Sequence, residues 1–266
     1  MKALHTRRWE AEVGSPRAVV CLVHGLGEHS GRYQRLAGRF VEAGFAVSAI
    51  DLRGHGESPG HKGDTRFAPA MEDIDALLRD SAERWPGVPV FLYGHSLGAL
   101  LAVLYLLDHP AQRPAGAVVS AIGLHSALRE QRLKVRAARV LGRLTPNLRV
   151  KSGIDPVVLS RDEAVVEAYR RDKLVHGFAS MGFGLDAMQA IDGILAGKPN
   201  PGVPLLLIHG GEDQLAYASG ARELAAAWPE VCELHVYDRL FHEVHNEPEQ
   251  EQVFEDVRKW MEARLS

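Results

Sequence analysis

Short apolar segments alternate along the chain with segments whose apolar residues recur at helical spacing. Four of the apolar segments lack the polar alternation of a half-exposed strand, which is typical of strands buried on both faces of a parallel sheet. They are residues 18–23, 45–50, 88–93 and 115–121. The helical segments between them are residues 32–43, 69–85 and 97–108. This order predicts an α/β protein with a doubly wound, mainly parallel sheet.

The alternation stops after residue 121 and resumes near residue 199. The stretch 122–198 has helical patterns broken by glycine and proline, and it contains no convincing strand. Strand and helix patterns then return at residues 203–209, 217–228, 232–237 and 249–265. We therefore predict one core domain, residues 1–121 and 199–266, with an α-helical cap inserted at 122–198 over the end of the sheet.

A serine flanked by glycines lies where a predicted strand meets a predicted helix. The segment Gly94-His95-Ser96-Leu97-Gly98 follows the strand at 88–93 and leads into the helix at 97–108. In this context GxSxG forms a nucleophile elbow, a turn so tight that only small side chains fit beside the serine. The serine is then exposed at the carboxyl end of the strand. We predict that Ser96 is the nucleophile of an acyl transfer.

A serine nucleophile needs a base to take its proton and an acid to orient that base. In sheets that carry a nucleophile elbow the chain order is serine, acid, histidine, and catalytic groups gather at the carboxyl ends of parallel strands. The predicted strand at 203–209 is followed by Glu212 and Asp213. We predict that Asp213 is the acid, with Glu212 as the alternative.

The base is expected after the next strand, residues 232–237, which is followed by His242. His245 lies three residues further on and is expected to line the pocket, whereas His209 ends the preceding strand and is expected to face the core or the sheet edge. We predict that His242 is the base. The alternative is that all three are ordinary surface or core histidines, but the order of the three groups argues against it.

Two backbone N–H groups are candidates for an oxyanion hole. The residue after the nucleophile, Leu97, supplies one of them. The second is expected in the loop after the strand at 18–23, where glycines let a backbone N–H turn toward the site. That loop is residues 24–27, and we predict the N–H of Leu26 as the second donor. The alternative is an ordinary glycine turn.

Four motifs and one further stretch resemble a known family. They are HGLGEHSGRY at residues 24–33, GHGES at 54–58, GHSLG at 94–98, FHEVHNE at 241–247 and the stretch 148–160. The chain resembles the monoacylglycerol lipases and the related lysophospholipase-like hydrolases over nearly its whole length. The resemblance implies an α/β-hydrolase fold and a triad of Ser96, Asp213 and His242, in agreement with the spacing argument.

The same resemblance implies a polar subsite for the glycerol head group. Its residues here would be Glu28, Arg32 and His245. Glu28 and Arg32 are also four residues apart at the start of a predicted helix, so they are equally explained as an i, i+4 ion pair.

A predicted cap helix carries two stripes of side chains. Five arginines share one face, and they are Arg129, Arg132, Arg136, Arg139 and Arg143. A second stripe beside it is apolar and contains Leu133, Ala137, Val140, Leu141 and Leu144. One interpretation is transient contact with a membrane or micelle surface, and the other is a solvated arginine face over a buried leucine face.

Composition narrows the class of protein. The net charge of −3 gives no reason to expect nucleic-acid binding. Residues 1–13 contain no apolar signal region, and no apolar run approaches the length of a membrane span. Cys21 and Cys232 lie in apolar surroundings and are expected to be reduced, which suits the cytoplasm. We expect a cytoplasmic enzyme that needs no cofactor or metal.

Together these patterns predict a serine ester hydrolase that cleaves monoacylglycerols to fatty acid and glycerol through an acyl-enzyme. Lysophospholipase or general carboxylesterase activity is the alternative within the same chemistry. A non-catalytic ligand-binding relative is a further alternative, although such a protein has no need to retain all three groups of a triad.

Overall fold

The computed structural model describes residues 4–11, 14–111, 113–127, 131–197 and 199–265, without the side chains of residues 132–134 and 137. A seven-stranded sheet forms its centre, in the order β1-β3-β2-β4-β5-β8-β9. The strands are β1 Thr6–Trp9, β2 Val19–Val23, β3 Ala46–Ile50, β4 Val90–His95, β5 Gly116–Ser120, β8 Leu205–Gly210 and β9 Cys232–Tyr237. Within this sheet β1 alone runs antiparallel to its neighbour, so the prediction of a mainly parallel sheet is confirmed.

Eight α-helices are described around this sheet and in the segment between β5 and β8. They are α1 Gln34–Glu42, α2 Phe67–Arg84, α3 Leu97–Asp108, α4 Arg132–Leu144, α5 Glu163–Arg171, α6 Met181–Leu195, α7 Ala218–Ala227 and α8 Gln250–Glu262. Three short 3-10 helices complete the described elements, at Ser30–Tyr33, Pro156–Val158 and Val244–Asn246. None of the described helices is long and apolar enough to cross a lipid bilayer.

Both faces of the sheet are covered by helices, as the continuous apolar strands require. On one face α2 and α3 bury a cluster that includes Cys21, Leu92 and Leu101. On the other face α1 and α8 bury a second cluster that includes Tyr33, Phe91 and Trp260. Because β3, β2, β4, β5, β8 and β9 are parallel, their carboxyl ends share one edge, and the loops that follow them meet there.

The segment between β5 and β8, here called the inserted segment, is not purely helical. It contains α4, α5 and α6, but β6 Arg149–Lys151 and β7 Phe178–Ser180 pair in it as a small antiparallel sheet. The prediction of no strand in this stretch is therefore wrong. Each strand has only three residues, β6 is exposed throughout and β7 ends in the buried but polar Ser180, so neither leaves an apolar pattern in the sequence.

Helices α4 and α6 pack closely because Gly142 lies between them. A Cβ at Gly142 would come within 2.8 Å of both the Leu185 Cβ and the Met181 carbonyl oxygen. Polar contacts tie the inserted segment to the core: Arg66 binds Asp186 at 2.7 Å, and Arg161 binds the buried Glu247 at 2.6 Å.

The expectation of a buried leucine face on α4 is wrong for its described part. Val140, Leu141 and Leu144 are exposed, Leu144 to 74%. Their helix packs on α6 through Gly142 instead, so the described part of the apolar stripe faces solvent. Arg139 pairs with Asp192 across this contact. Arg129 and the side chains of Arg132, Leu133 and Ala137 lie outside the described residues.

Candidate active site

Ser96 occupies a strained turn between β4 and α3. Its φ of 53° and ψ of −110° place a non-glycine residue in a region that costs on the order of 1–3 kcal/mol. The flanking glycines are required by close backbone packing. A Cβ at Gly94 would lie 2.3 Å from the Gly98 carbonyl oxygen, and one at Gly98 would lie 2.1 Å from the Val23 carbonyl oxygen. The sequence therefore folds here into the predicted elbow.

Asp213 follows β8 and is buried at the same edge of the sheet. Its Oδ1 accepts the backbone N–H groups of Leu215 at 2.8 Å and Ala216 at 3.0 Å, and its Oδ2 accepts Nδ1 of His242 at 2.7 Å. Burial would raise the pKa of Asp213, but the charge of His242 and the hydrogen bonds from His209 and His242 hold it well below its usual range. Asp213 is therefore an ionised, fixed carboxylate.

His242 follows β9 and is buried. Burial would lower the pKa of His242, but the charge of Asp213 and its hydrogen bond prevail and raise the pKa above the ordinary value of 6.5. Since Nδ1 donates to Asp213, Nε2 is the nitrogen left to take a proton. His242 and Ser96 line the same cavity.

Glu212 and His209, the alternatives to Asp213 and His242, have different surroundings. Glu212 is exposed, and the carboxylate at His242 is that of Asp213. His209 lies behind the acid, with Nε2 at 2.7 Å from the Ala216 carbonyl oxygen and 3.3 Å from Asp213 Oδ2. His209 is thus a buried neighbour of the acid, as expected for the end of the strand.

His245 is buried behind the cavity wall. Its ring stacks on Tyr33 with centroids 4.8 Å apart and meets His95 edge-on at 4.8 Å. Burial lowers the pKa of His245 to about 4. His245 is not one of the described residues that line the cavity, so the structure does not bring it to the surface where a head group would lie.

The two candidate oxyanion donors come from different parts of the chain. Leu97 begins α3, and its N–H is one of the helix N-terminal groups without an intrahelical acceptor. Leu26 lies in the loop after β2, which approaches the elbow through Gly25. A Cβ at Gly25 would be 3.3 Å from the Ser96 Cβ. Both leucines line the cavity beside Ser96.

The cavity extends from Ser96 in two directions. One branch is an apolar chamber of about 410 Å³, whose walls include Leu100, Phe183, Ala187, Ile191 and Leu215. The other, here called the polar niche, has about 30 Å³ and is lined by the polar side chains of Glu28, Arg32, Tyr169 and Glu243 together with apolar ones such as Leu159. Ser96 and His242 border both branches.

The polar niche is built around one buried guanidinium. Arg32 contacts Glu28 at 2.6 Å and forms two parallel hydrogen bonds with Glu243 at 2.7 and 2.8 Å. Burial opposes both charges, but the carboxylates raise the pKa of Arg32 and Arg32 lowers the pKa of Glu243. Glu28 and Arg32 thus form the expected i, i+4 ion pair and also line the cavity.

Sequence reasoning missed two residues of this niche. Glu243 follows His242 directly, and its position beside the predicted base was an available signal. Tyr169 lies on α5, with its ring 4.7 Å from the Arg32 guanidinium carbon. Only the packing of the inserted segment on the core brings Tyr169 there, so no local sequence pattern marks it.

A serine on a strained elbow, an aspartate–histidine pair after later strands and a mostly parallel sheet define an α/β-hydrolase fold. The family model described as "Serine aminopeptidase, S33" matches residues 14–249, and the chain belongs to this family.

Three relatives show how far the likeness extends. An uncharacterized abhydrolase domain-containing protein of Dictyostelium discoideum is 35% identical over 99% of this chain, which spans only 28% of that protein's length. The monoacylglycerol lipase of Mycolicibacterium smegmatis is 36% identical over 94% of this chain and 90% of its own. The crystal structure of Paleococcus ferrophilus monoacylglycerol lipase is 33% identical, covers 99% of this chain and 100% of its own, and superposes with a TM-score of 0.89. The predicted family resemblance and fold are confirmed.

Proposed function

We propose that this protein is a serine carboxylic-ester hydrolase that cleaves monoacylglycerols to fatty acid and glycerol. The observation that carries the proposal is the 2.7 Å hydrogen bond between His242 and Asp213 in a cavity that His242 shares with Ser96. The cavity places a polar niche on one side of the serine and an apolar chamber on the other. The family and the monoacylglycerol lipase relatives support the same substrate class.

In the acylation half-reaction, Ser96 Oγ attacks the ester carbonyl while Nε2 of His242 takes its proton. Asp213 holds the ring in the required tautomer and stabilises the imidazolium that forms. The N–H groups of Leu26 and Leu97 donate to the oxyanion. The tetrahedral intermediate then expels glycerol, which takes the proton from His242.

In deacylation, a water attacks the acyl-enzyme after His242 removes its proton. The same N–H groups stabilise the second oxyanion. Collapse returns the proton to Ser96 and releases the fatty acid. The protein's own residues suffice for both half-reactions, so the proposal includes no cofactor.

The acyl chain belongs in the apolar chamber. Leu100, from α3, forms part of its wall, while Phe183, Ala187 and Ile191 line it from α6. The inserted segment therefore shapes the acyl site, and we propose that residues 122–198 act as a cap over the core formed by 1–121 and 199–266. Each buried CH₂ of the chain adds about 0.8 kcal/mol to binding.

The charge of the polar niche favours a neutral head group. One guanidinium, Arg32, faces two carboxylates, Glu28 and Glu243, so the niche carries a net negative charge. An uncharged glyceryl group can exchange hydrogen bonds with these groups. The phosphodiester of a lysophospholipid would bring a negative charge next to two carboxylates. Monoacylglycerol is therefore favoured over lysophospholipid.

Lipid substrate is presented at a membrane or micelle, and the inserted segment offers a surface for it. Six exposed apolar side chains belong to α4, the following loop and the small sheet, and they are Val140, Leu141, Leu144, Leu148, Val150 and Phe178. Arg143, Arg149 and Lys151 lie among them in the chain. We propose that this lipid-facing patch makes transient contact with the substrate surface.

A cytoplasmic location is also proposed. Cys21 and Cys232 are free thiols, and burial raises the pKa of each to about 12. Neither thiol is poised to react, which is consistent with a reducing compartment.

The deciding experiment compares wild type and Ser96→Ala on 1- and 2-monoacylglycerols, lysophosphatidylcholine and 4-nitrophenyl esters. We expect wild type to prefer the monoacylglycerols and Ser96→Ala to lose turnover on every substrate. Turnover by Ser96→Ala would refute the nucleophile. Faster hydrolysis of lysophosphatidylcholine would refute the head-group assignment, and binding without turnover by wild type would indicate a non-catalytic relative.

A further inference from the structure

Three buried histidines from three parts of the chain form a cluster of mutually tilted rings, here called the histidine cluster, beside residues 24–27, here called the oxyanion loop. His24 follows β2, His55 lies in the loop after β3, and His176 belongs to the inserted segment. The ring centroids of His24 and His55 are 5.1 Å apart, and those of His55 and His176 are 4.7 Å apart. The proposed triad uses none of the three, so the histidine cluster requires a separate explanation.

Hydrogen bonds fix the first ring next to the oxyanion loop. Nε2 of His24 accepts the backbone N–H of Leu52 at 2.9 Å, so the ring proton is on Nδ1, which donates to the Gly25 carbonyl oxygen at 2.7 Å. Burial lowers the pKa of His24, which keeps the ring neutral. His24 therefore determines the direction of the Gly25 carbonyl immediately before Leu26.

Hydrogen bonds fix His176 in the same way at the other end of the histidine cluster. Its Nδ1 accepts the backbone N–H of Phe178 at 3.3 Å, so Nε2 carries the proton and donates to the Gly54 carbonyl oxygen at 3.0 Å. Burial lowers the pKa of His176 as well. The ring of His55 lies between the other two. Its Nε2 has no hydrogen-bond partner within the described part of the chain, so packing against the neighbouring rings holds the Nε2 edge in place.

The backbone of His176 contacts the oxyanion loop directly. Its N–H donates to the Gly27 carbonyl oxygen at 2.8 Å. Gly27 has a φ of 79°, and a Cβ there would lie 2.3 Å from the His176 carbonyl oxygen. The chain at residue 176 thus packs against the residue that follows Leu26 so closely that only glycine fits.

We infer that His176 is a positioning residue for the oxyanion hole. The His176 side chain anchors residue 176 to Gly54 and to the histidine cluster, and its backbone holds Gly27. The hydrogen bond from His24 fixes Gly25 on the other side of Leu26. The N–H of Leu26 is therefore aimed at the reacting carbonyl only while this part of the inserted segment is docked, an inference that rests on the proposed serine hydrolase mechanism.

The test compares three substitutions of His176 with a matched control. His176→Gln keeps an N–H donor that reaches Gly54, whereas His176→Asn keeps only the acceptor for Phe178 and His176→Ala keeps neither. His109→Gln is the control, because His109 also stacks on an aromatic ring, Tyr105, at 4.4 Å, but follows the far end of α3.

Turnover is measured with a soluble 4-nitrophenyl ester after active-site titration. Complete loss of an oxyanion donor costs about 10²–10³-fold in kcat, so a misdirected donor is expected to cost about tenfold. We expect kcat to fall about tenfold in His176→Ala and His176→Asn, while KM stays within about twofold of the wild-type value. His176→Gln should retain most of the wild-type kcat. The affinity for a trifluoromethyl ketone, which forms an oxyanion on Ser96, should fall in parallel.

The inference is overturned if His176→Gln and His176→Asn lose the same factor in kcat. It is also overturned if the substitutions change only KM or only the fraction of active sites that can be titrated. An unchanged affinity for the trifluoromethyl ketone would overturn it as well. If His176→Ala fails to fold, the comparison of His176→Asn with His176→Gln still tests the inference. Failure of the mechanism itself is distinguishable, because Ser96→Ala would then retain turnover.

Discussion

Asp213 accepts a 2.7 Å hydrogen bond from Nδ1 of His242, and both side chains are buried. The other carboxylate oxygen of Asp213 accepts two backbone N–H groups, so the carboxylate cannot rotate away. The imidazole is thereby held with Nε2 as its only proton acceptor. The same bond favours the imidazolium over the neutral ring, and this preference is measurable in the pH dependence of turnover.

We predict that kcat/KM falls on the acid side with a midpoint above 6.5. The base must be neutral, and the raised pKa of His242 means that it becomes protonated at a higher pH than an unperturbed histidine. Asp213→Asn should move the midpoint to lower pH and reduce kcat by about 10⁴-fold. The measurement is a pH–rate profile with a soluble ester.

The matched control for this prediction is Glu212→Gln, which removes the exposed neighbouring carboxylate. Its profile should coincide with that of wild type. An unchanged midpoint of the pH–rate profile in Asp213→Asn would contradict the assignment of Asp213 as the acid.

We predict that Ser96→Gly is more stable than Ser96→Ala, although both are inactive. The φ of 53° strains alanine and not glycine. Relief of this strain, less the entropy that glycine adds to the unfolded chain, should leave about 1 kcal/mol in favour of glycine. Urea unfolding of the two variants measures the difference. Equal stability would show that the strain at the elbow is no larger than the entropy that glycine adds to the unfolded chain.

We predict that Ala187→Trp shortens the accepted acyl chain. Ala187 lines the apolar chamber from α6, and an indole there would displace about four methylenes, worth about 3 kcal/mol. The kcat/KM for a C16 monoacylglycerol should fall about 100-fold, while that for a C4 or C6 ester changes little. Gln189→Trp, on the exposed face of the same helix, is the control. A uniform loss across chain lengths would place the acyl chain elsewhere.

We predict that Glu243→Gln narrows the preference for monoacylglycerol over lysophosphatidylcholine. The change removes one of the two carboxylates beside Arg32, so the niche becomes neutral. Less repulsion of a phosphate should shift the ratio of the two kcat/KM values about five- to tenfold toward the lysophospholipid, or about 1 kcal/mol. Glu255→Gln, which removes a charge from the exposed side of α8, should leave the ratio unchanged.

The parts of the fold that the sequence predicts are those with a strong local cause. Strands buried on both faces are continuously apolar. The proposed acid and base, Asp213 and His242, come shortly after two of the predicted strands, so both can be found by position. The edge strand β1 is polar and acquires its conformation from pairing with β3, which no local pattern records. The same holds for β6 and β7.

Contacts made by the inserted segment were the least predictable part of the site. Tyr169 and His176 reach the cavity and the oxyanion loop only through tertiary packing on the core. Spacing within a helix does not determine which of its faces is covered, as the exposed leucines of α4 show. His245 illustrates the converse, because its place in a motif predicted a cavity-lining residue, whereas stacking on Tyr33 holds it behind the wall.

We predict that the lipid-facing patch raises turnover only when substrate is presented at an interface. Leu144 and Leu148 are exposed to 74% and 51%, and insertion of two such side chains into lipid would contribute about 3 kcal/mol if both become fully buried. The double substitution Leu144→Ser and Leu148→Ser should weaken binding to vesicles that contain monoacylglycerol by about 10- to 100-fold and lower turnover there. Turnover of a soluble 4-nitrophenyl ester should be unchanged, since neither side chain lines the cavity.

The matched control is the double substitution of Leu144 and Leu148 to Met, which keeps both positions apolar and should retain vesicle binding. Equal vesicle binding by the Ser and Met variants would show that this surface does not contact lipid, and a matching loss on the soluble ester would place the effect in the active site instead.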